Sequence, residues 1–351
     1  VRVTTEQMAA NMTVNGQLRW RIPTARPLGL PAANLPIEPY IFGAWLGDGT
    51  SCRAEITCHI DDREIVDRIA SRGENVRQCV SASRPYSWLL TGELADRPRF
   101  VHRLRDLGVL KNKHIPDPYL RASAAQRLEL LRGLMDTDGF NAKGGQVGLD
   151  LCDERLAMDV AELIVSLGWK VRIKPQPATL YGRTVGTRWR ISFTADAVPF
   201  HLARKLDAWE PRGAQRSRHT QRTVRSIAPV GVTPTACIEV DSPRHLYLAG
   251  KSMIPTHNSF LASRIAMWWI DAHPPGEAIV VSTAPTYAQV HAILWEEIRK
   301  GHRKGGLPGV VLKSDEWQDG LGDIVGFGRK PAVTDEHGFQ GINRLFVLVI
   351  I

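Results

Sequence analysis

The sequence predicts an α+β protein: two pseudo-symmetric αββαββα half-domains, then an all-β segment and a short, truncated α/β piece. Three observations predict it. An apolar stretch ending in Asp48-Gly49 returns 90 residues later (138 − 48) as one ending in Asp138-Gly139. Strand-like segments of the second copy alternate apolar and basic residues with period two, which puts the two sets on opposite faces of a sheet. At Ser259 the pattern changes to an apolar helix (259–271), a buried strand (278–283) and a second helix (286–304).

With 351 residues, 43% of them hydrophobic and 23% charged, the chain has the composition of water-soluble globular protein and the length for two or three domains. No apolar run reaches the ~18 residues that cross a bilayer, so no membrane partner is expected. The five cysteines (Cys52, Cys58, Cys79, Cys152, Cys237) are odd in number and lack CxxC spacing, which argues against a disulfide framework or structural zinc and for a reducing cytoplasm. The net charge of +9 is clustered. Lys170, Arg172, Lys174, Arg183, Arg188 and Arg190 lie in 169–190 without an acid, and seven Lys/Arg lie in 201–225 against Asp207 and Glu210. Such clusters suit a polyanion, although a solvated basic surface would look the same.

The elements follow in order. Residues 1–37 carry Pro23, Pro27, Pro31 and Pro36 and read as a strand or two and a linker. Residues 38–210 hold the duplication. After each Asp-Gly comes a strand-like stretch (51–59; 146–151) and a helix opening on acids, at Asp61-Asp62-Arg63-Glu64 and Asp153-Glu154-Arg155. Two strands (76–81 and 86–91; 169–174 and 188–193) and a further helix (97–107; 196–206) complete each copy. Lys170, Arg172 and Lys174 alternate with Trp169, Val171 and Ile173; Arg188 and Arg190 alternate with Trp189 and Ile191. A strand pair with one basic face can lie in a DNA major groove, which makes these five cations candidate DNA contacts. Residues 211–258 read as a basic connector followed by short strands, and 259–351 as a separate α/β piece.

The pattern G-x-x-x-x-D-G occurs twice, at Gly43–Gly49 and Gly133–Gly139. Small residues there let two helices approach closely and bring Asp48 and Asp138 together at the helix ends. Adjacent carboxylates repel unless cations lie between them, which suits Mg²⁺ bridging to a phosphate. Here the sequence resembles the LAGLIDADG (DOD-type) homing endonucleases, closely in Leu131–Gly139 and loosely in Ile41–Gly49. The resemblance implies a saddle-shaped monomer that cuts both strands of DNA with Mg²⁺, with Asp48 and Asp138 as metal-binding acids and Asp136 at a non-catalytic position. Lys113, in Lys113-His114-Ile115-Pro116, matches a basic active-site position; a surface lysine at the start of a strand is the plainer reading. For the second half, Lys174 is the candidate by analogy.

Residues 236–259 resemble the C-terminal splicing blocks of inteins. There Asn258 would cyclise and break its bond to Ser259, His257 would assist the leaving amine, and Ser259 would accept the upstream chain as an ester. His245 matches the second histidine. Cys237, with Thr256, resembles a subclass with a cysteine nucleophile, or is a small structural cysteine. Splicing itself needs no cofactor. Val1 does not match the start of an intein, so a front splicing half and its flanking host segment are expected to be missing from this sequence. Residues 259–351 resemble a P-loop ATPase of the phage terminase large-subunit type. Ser259 would be the P-loop hydroxyl, and ATP and Mg²⁺ would be used by the complete host alone. Another P-loop ATPase or a helicase would share much of this pattern. The expectations are thus a site-specific endonuclease acting on double-stranded DNA at the uninterrupted host gene, encoded by phage or prophage in a bacterial cytoplasm. The alternatives are a catalytically degenerate DNA-binding module, or an inactive terminase or helicase ATPase fragment.

Overall fold

Proline cannot donate a backbone hydrogen bond, so it falls at first helical positions and strand edges, and the fold uses it at both. The computed structural model describes residues 5–79, 84–92, 99–142, 145–210, 221–231, 240, 246–257, 259–283, 294–329 and 343–350. It divides into two units, one of residues 1–228 with 249–255 and one of 229–248 with 256–351.

The first unit begins with helix α1 (Thr5–Ala10) and short strands β1 (Thr13–Val14), β2 (Gln17–Leu18) and β3 (Arg21–Pro23). Helix α2 (Pro39–Asp48) starts on Pro39 and is capped by the Glu38 carboxylate, which accepts from Ile41 N–H at 3.0 Å. Strand β4 (Glu55–Thr57), helix α3 (Glu64–Ser71), strands β5 (Val76–Gln78) and β6 (Ser87–Leu90), helix α4 (Phe100–Asp106) and the short helix α5 (Asp117–Leu120) follow. Helix α6 (Ala124–Thr137) opens the second copy through a capping box between Ser123 and Gln126. After it come β7 (Gly139–Ala142), β8 (Gln146–Leu151), α7 (Glu154–Ser166), β9 (Val171–Leu180), β10 (Arg183–Thr194) and α8 (Ala203–Asp207).

The repeat survives in the sheets. The second copy forms a four-stranded antiparallel sheet, β7-β8-β10-β9. The first forms β4-β6-β5, and the place of β7 is taken by a single bridge between Gly49 and Ile56. Helices α2 and α6 pack at the centre. A Cβ on Gly43 would lie 2.1 Å from the carbonyl oxygen of Leu130, and one on Gly133 would lie 2.1 Å from that of Tyr40. No side chain fits there, so the glycines are set by helix contact. One core spans both copies, including Trp45, Phe42, Leu131, Leu134, Ile164 and Ile191.

Several expected elements change length. The helix expected over 196–206 contracts to α8, because Pro199 interrupts the preceding turn. Strands β9 and β10 run well past 174 and before 188, through Pro175 and Pro177. Those prolines are tolerated because β9 is the edge strand. Strand β11 (Gln221–Thr223) returns to pair antiparallel with β3, Arg222 opposite Ile22.

The short strands β12 (Leu246–Ala249) and β13 (Ile254–His257) form a two-stranded sheet. The second unit has α9 (Ser259–Asp271), β14 (Ala278–Thr283), α10 (Glu296–Gly305), β15 (Val310–Val311), β16 (Glu316–Gln318), β17 (Ile324–Arg329) and β18 (Phe346–Ile350). Its sheet order is β15-β16-β17-β14-β18, with β14 parallel to both neighbours. The fold is therefore mixed α+β, with α9, β14 and β18 close to their expected places. A splicing-type all-β domain over 211–258 is not displayed by the described residues, which supply β11, β12 and β13 there. Among the described residues no helix is long and apolar enough to cross a membrane.

Candidate functional site at the paired helix ends

Helix C-termini carry unpaired carbonyls and a partial negative charge, so cations belong there and carboxylates do not. Asp48 is the last residue of α2 and Asp138 caps α6. The close approach at Gly47, where a Cβ would sit 3.3 Å from Asp138 Oδ2, brings the two ends side by side. Burial, and then the negative charge of Asp48, push the Asp138 carboxyl up to about 6. Burial also raises Asp48.

Two lysines answer this charge. Lys113 Nζ donates to the carbonyls of Leu46 and Gly47, both at 2.9 Å, and lies 5.3 Å from the ring centre of Trp45. Lys205 Nζ donates to Met135 O (2.9 Å), Asp136 O (2.7 Å) and Thr137 O (2.9 Å). Each ammonium thus caps one helix. Burial lowers both to about 8. The lysine at the second helix end is Lys205; Lys174, the candidate by analogy, lies instead on the exposed strand face opposite Arg190. The repeat held the signal, since 113 + 90 = 203 falls two residues short of Lys205.

The lysines are positioned across the pseudo-twofold. Ile115 N–H, two residues beyond Lys113, donates to Asp159 of α7 at 3.1 Å. On the other side, Arg204 pairs with Asp62, and Ala203 N–H donates to Glu64 Oε2 at 3.1 Å. Asp136, 1% exposed, takes N–H bonds from His201 (2.8 Å) and Leu202 (3.0 Å) on Oδ1, and the Tyr40 hydroxyl (2.8 Å) on Oδ2. The first copy has Leu46 at the equivalent position, 136 − 90.

The basic face forms as the period-two reading expects. Register sets Arg172, Lys174, Arg188 and Arg190 on the face opposite Ile173, Trp189 and Ile191, which pack on the core. Asp150 on β8 accepts from Arg190 at 2.9 and 2.7 Å and from Arg188 at 3.3 Å, and these arginines hold its carboxyl below the usual range. Phe140, two residues past Asp138, lies 5.5 Å beneath the Arg190 guanidinium, so this face runs up to the helix ends. Lys170 precedes β9, its ammonium lowered by partial burial.

Of the residues assigned to splicing, Cys237, His245 and Asn258 lie outside the described residues. Thr256 and His257 belong to β13 and Ser259 opens α9.

No family model matches the chain. It is 38% identical over 262 residues to a replicative DNA helicase DnaB of Mycobacterium intracellulare, covering 74% of this chain and 42% of that protein. It is 53% identical over 38 residues to the replicative DNA helicase DnaB of Mycobacterium leprae, covering 11% of this chain and 6% of that one. The chain thus spans less than half the length of the relatives it matches. These matches correct the sequence reading. They carry the name of a replicative helicase, where an intein endonuclease in a terminase-like host was expected. Neither DNA cleavage, nor splicing, nor a terminase host is retained. Physically, Gly43 and Gly133 in the Asp-Gly motifs are demanded by helix contact, so the motif follows from packing and does not by itself assign an activity.

Proposed function

We propose that the duplicated unit is a duplex-DNA-binding module of a replicative-helicase-type polypeptide. The basic face of β9 and β10 grips the phosphate backbone, and a divalent cation between Asp48 and Asp138 adds a further phosphate contact. The observation that carries this reading is the row of Arg172, Lys174, Arg188 and Arg190 on one strand-pair face, continued by Phe140 towards the paired carboxylates. Counterion release from such a row supplies sequence-independent affinity.

The helix-end site fits Mg²⁺ in kind. Two half-buried carboxylates repel each other, and a hard cation with oxygen ligands relieves that repulsion. Among the described residues no group of three or more acidic, His or Cys side chains offers a closed cage. That favours an ion that keeps waters and takes a phosphate oxygen. When bound, the cation would supply charge neutralisation; Lys113 and Lys205 hold the helix ends in place and add positive charge beside it.

The test is fluorescence anisotropy with a labelled duplex. Affinity should fall steeply with salt, and Arg172→Ala or Lys174→Ala should each flatten the log–log slope by about 0.9 per lost phosphate contact. Mg²⁺ should tighten wild-type binding and lose that effect when Asp48 and Asp138 are both alanine. A wild-type affinity indifferent to salt would sink the reading.

A second, compatible reading concerns residues 259–351. A helix leading into β14, with parallel strands on both sides, favours part of a nucleotide-binding α/β core. ATP and Mg²⁺ use would then belong to the longer polypeptide. Grafting 259–351 onto the preceding P-loop strand and loop of a helicase should yield ATP binding, lost on Ser259→Ala.

A further inference from the structure

Past the last rung with β8, Trp189 opposite Leu151, strands β9 and β10 leave the sheet as a two-stranded ribbon of residues 176–180 and 183–188. Five or six residues per strand project roughly 17–20 Å. The turn is Tyr181-Gly182, with φ of 47° and 76°, the two left-handed residues that make a tight hairpin turn.

Tyrosine is a poor choice for that turn. A left-handed conformation costs a residue with a Cβ about 1–2 kcal/mol, and Asn or Asp is the usual first residue before Gly. Nor does the ring stabilise a core, because Tyr181 is 95% exposed. Leu180 (56%) and Val185 (64%) are exposed beside it, so the tip presents an apolar cluster. The shift in register between Thr184 and Gly186 marks a bulge that re-aims Val185. The stem is basic at its two ends: Arg183 adjoins the tip, and Lys174, Arg188 and Arg190 line the base, with uncharged residues between. An apolar end on a cationic arm complements a duplex, whose phosphates attract the arm and whose stacked bases accept the end.

We propose that the β9–β10 tip is a DNA wedge, with Tyr181 inserting at a base step of the duplex held by the basic face. This rests on the duplex-binding reading above and goes beyond it by assigning unstacking of a step to the tip. Leu180 and Val185 pack against the displaced base edges, and Arg183 meets the adjoining phosphate.

The full chain is titrated into duplexes carrying 2-aminopurine at successive positions, with anisotropy recorded on the same samples. Wild type should raise 2-aminopurine emission severalfold at one step. Tyr181→Ala should abolish that rise and weaken binding about tenfold, Tyr181→Phe should keep both, and the salt slope should be unchanged in each. The residue is exposed, so melting temperatures should match wild type. Wild-type emission that stays flat at every position, or a rise that persists in Tyr181→Ala, overturns the wedge while leaving duplex binding intact. Absence of any duplex binding by wild type overturns both.

Discussion

Asp136 and Lys205 hold each other from opposite directions. The Asp136 carboxylate accepts the N–H groups of His201 and Leu202, which lead into α8, while Lys205 on α8 donates back to the Asp136 carbonyl at 2.7 Å. Leu202 cannot cap α8 with its own side chain; Asp136 holds the residues leading into the helix, and Glu64 takes the first helical N–H, that of Ala203. Tyr40 from α2 completes the arrangement, and its hydroxyl proton is held more tightly by burial and by Asp136.

The raised carboxyl of Asp138 makes the site sensitive to pH. Its folded value of about 6 exceeds the ordinary 3.8, so the folded state keeps a proton that the unfolded chain has lost between those values. Stability therefore falls as pH rises from about 4 to 6 and then levels. Asp138→Asn should remove that slope and raise stability at pH 7 by about 2 kcal/mol, read from urea midpoints at pH 4 and 7. An unaltered pH slope in the variant would contradict the assignment.

For Lys113 and Lys205 the sign reverses. Both titrate near 8 in the folded protein and near 10.5 when unfolded, so the folded state sheds protons first. Stability should rise between pH 8 and 10.5 by on the order of 2 kcal/mol per lysine. The rise should shrink in the Lys113→Met, Lys205→Met double variant. Duplex affinity should weaken from about pH 7 to about 9, as two cations at the helix ends are lost.

Gly43→Ala and Gly133→Ala place a methyl against main-chain carbonyl oxygens, which cannot move without separating α2 from α6. Each should cost about 3 kcal/mol in chemical denaturation. Gly47→Ala meets the Thr137 hydroxyl instead, a side chain held by bonds to Gly133 O and Leu134 O at 3.0 Å. It should cost less, and equal losses at all three positions would contradict this ranking.

Asp150 restrains two arginines of the basic face and adds a negative charge among them. Asp150→Asn should tighten duplex binding about threefold to tenfold at low salt, with the gain fading as salt is raised. Weaker binding would mean that orienting the guanidinium groups matters more than their net charge.

Local chemistry was readable where neighbours in sequence decide the outcome. The Asp-Gly repeat marks two helix ends, and alternation fixes which faces of β9 and β10 are basic. Contacts between distant segments were not readable. Lys205 looked like one more cation of a basic tract, because burial against α6 is invisible in composition. The strand expected over 169–174 continues through Pro175 and Pro177, because the edge position that admits them depends on sheet order. The Asp-Gly motifs also suggested an activity, although the same glycines follow from helix contact alone.

The pairing of β3 with β11 has a topological consequence. Residues 21–23 and 221–223 are neighbours, although nearly two hundred residues separate them. Strands β3 and β11 thus flank the duplication side by side, and residues 249–255 belong to the same unit. Whatever precedes Arg21 and follows Thr223 need not be pushed apart by the mass between them. A short bridge between those strands, with new ends opened at the exposed Tyr181-Gly182 turn, should give a circular permutant with the same interior.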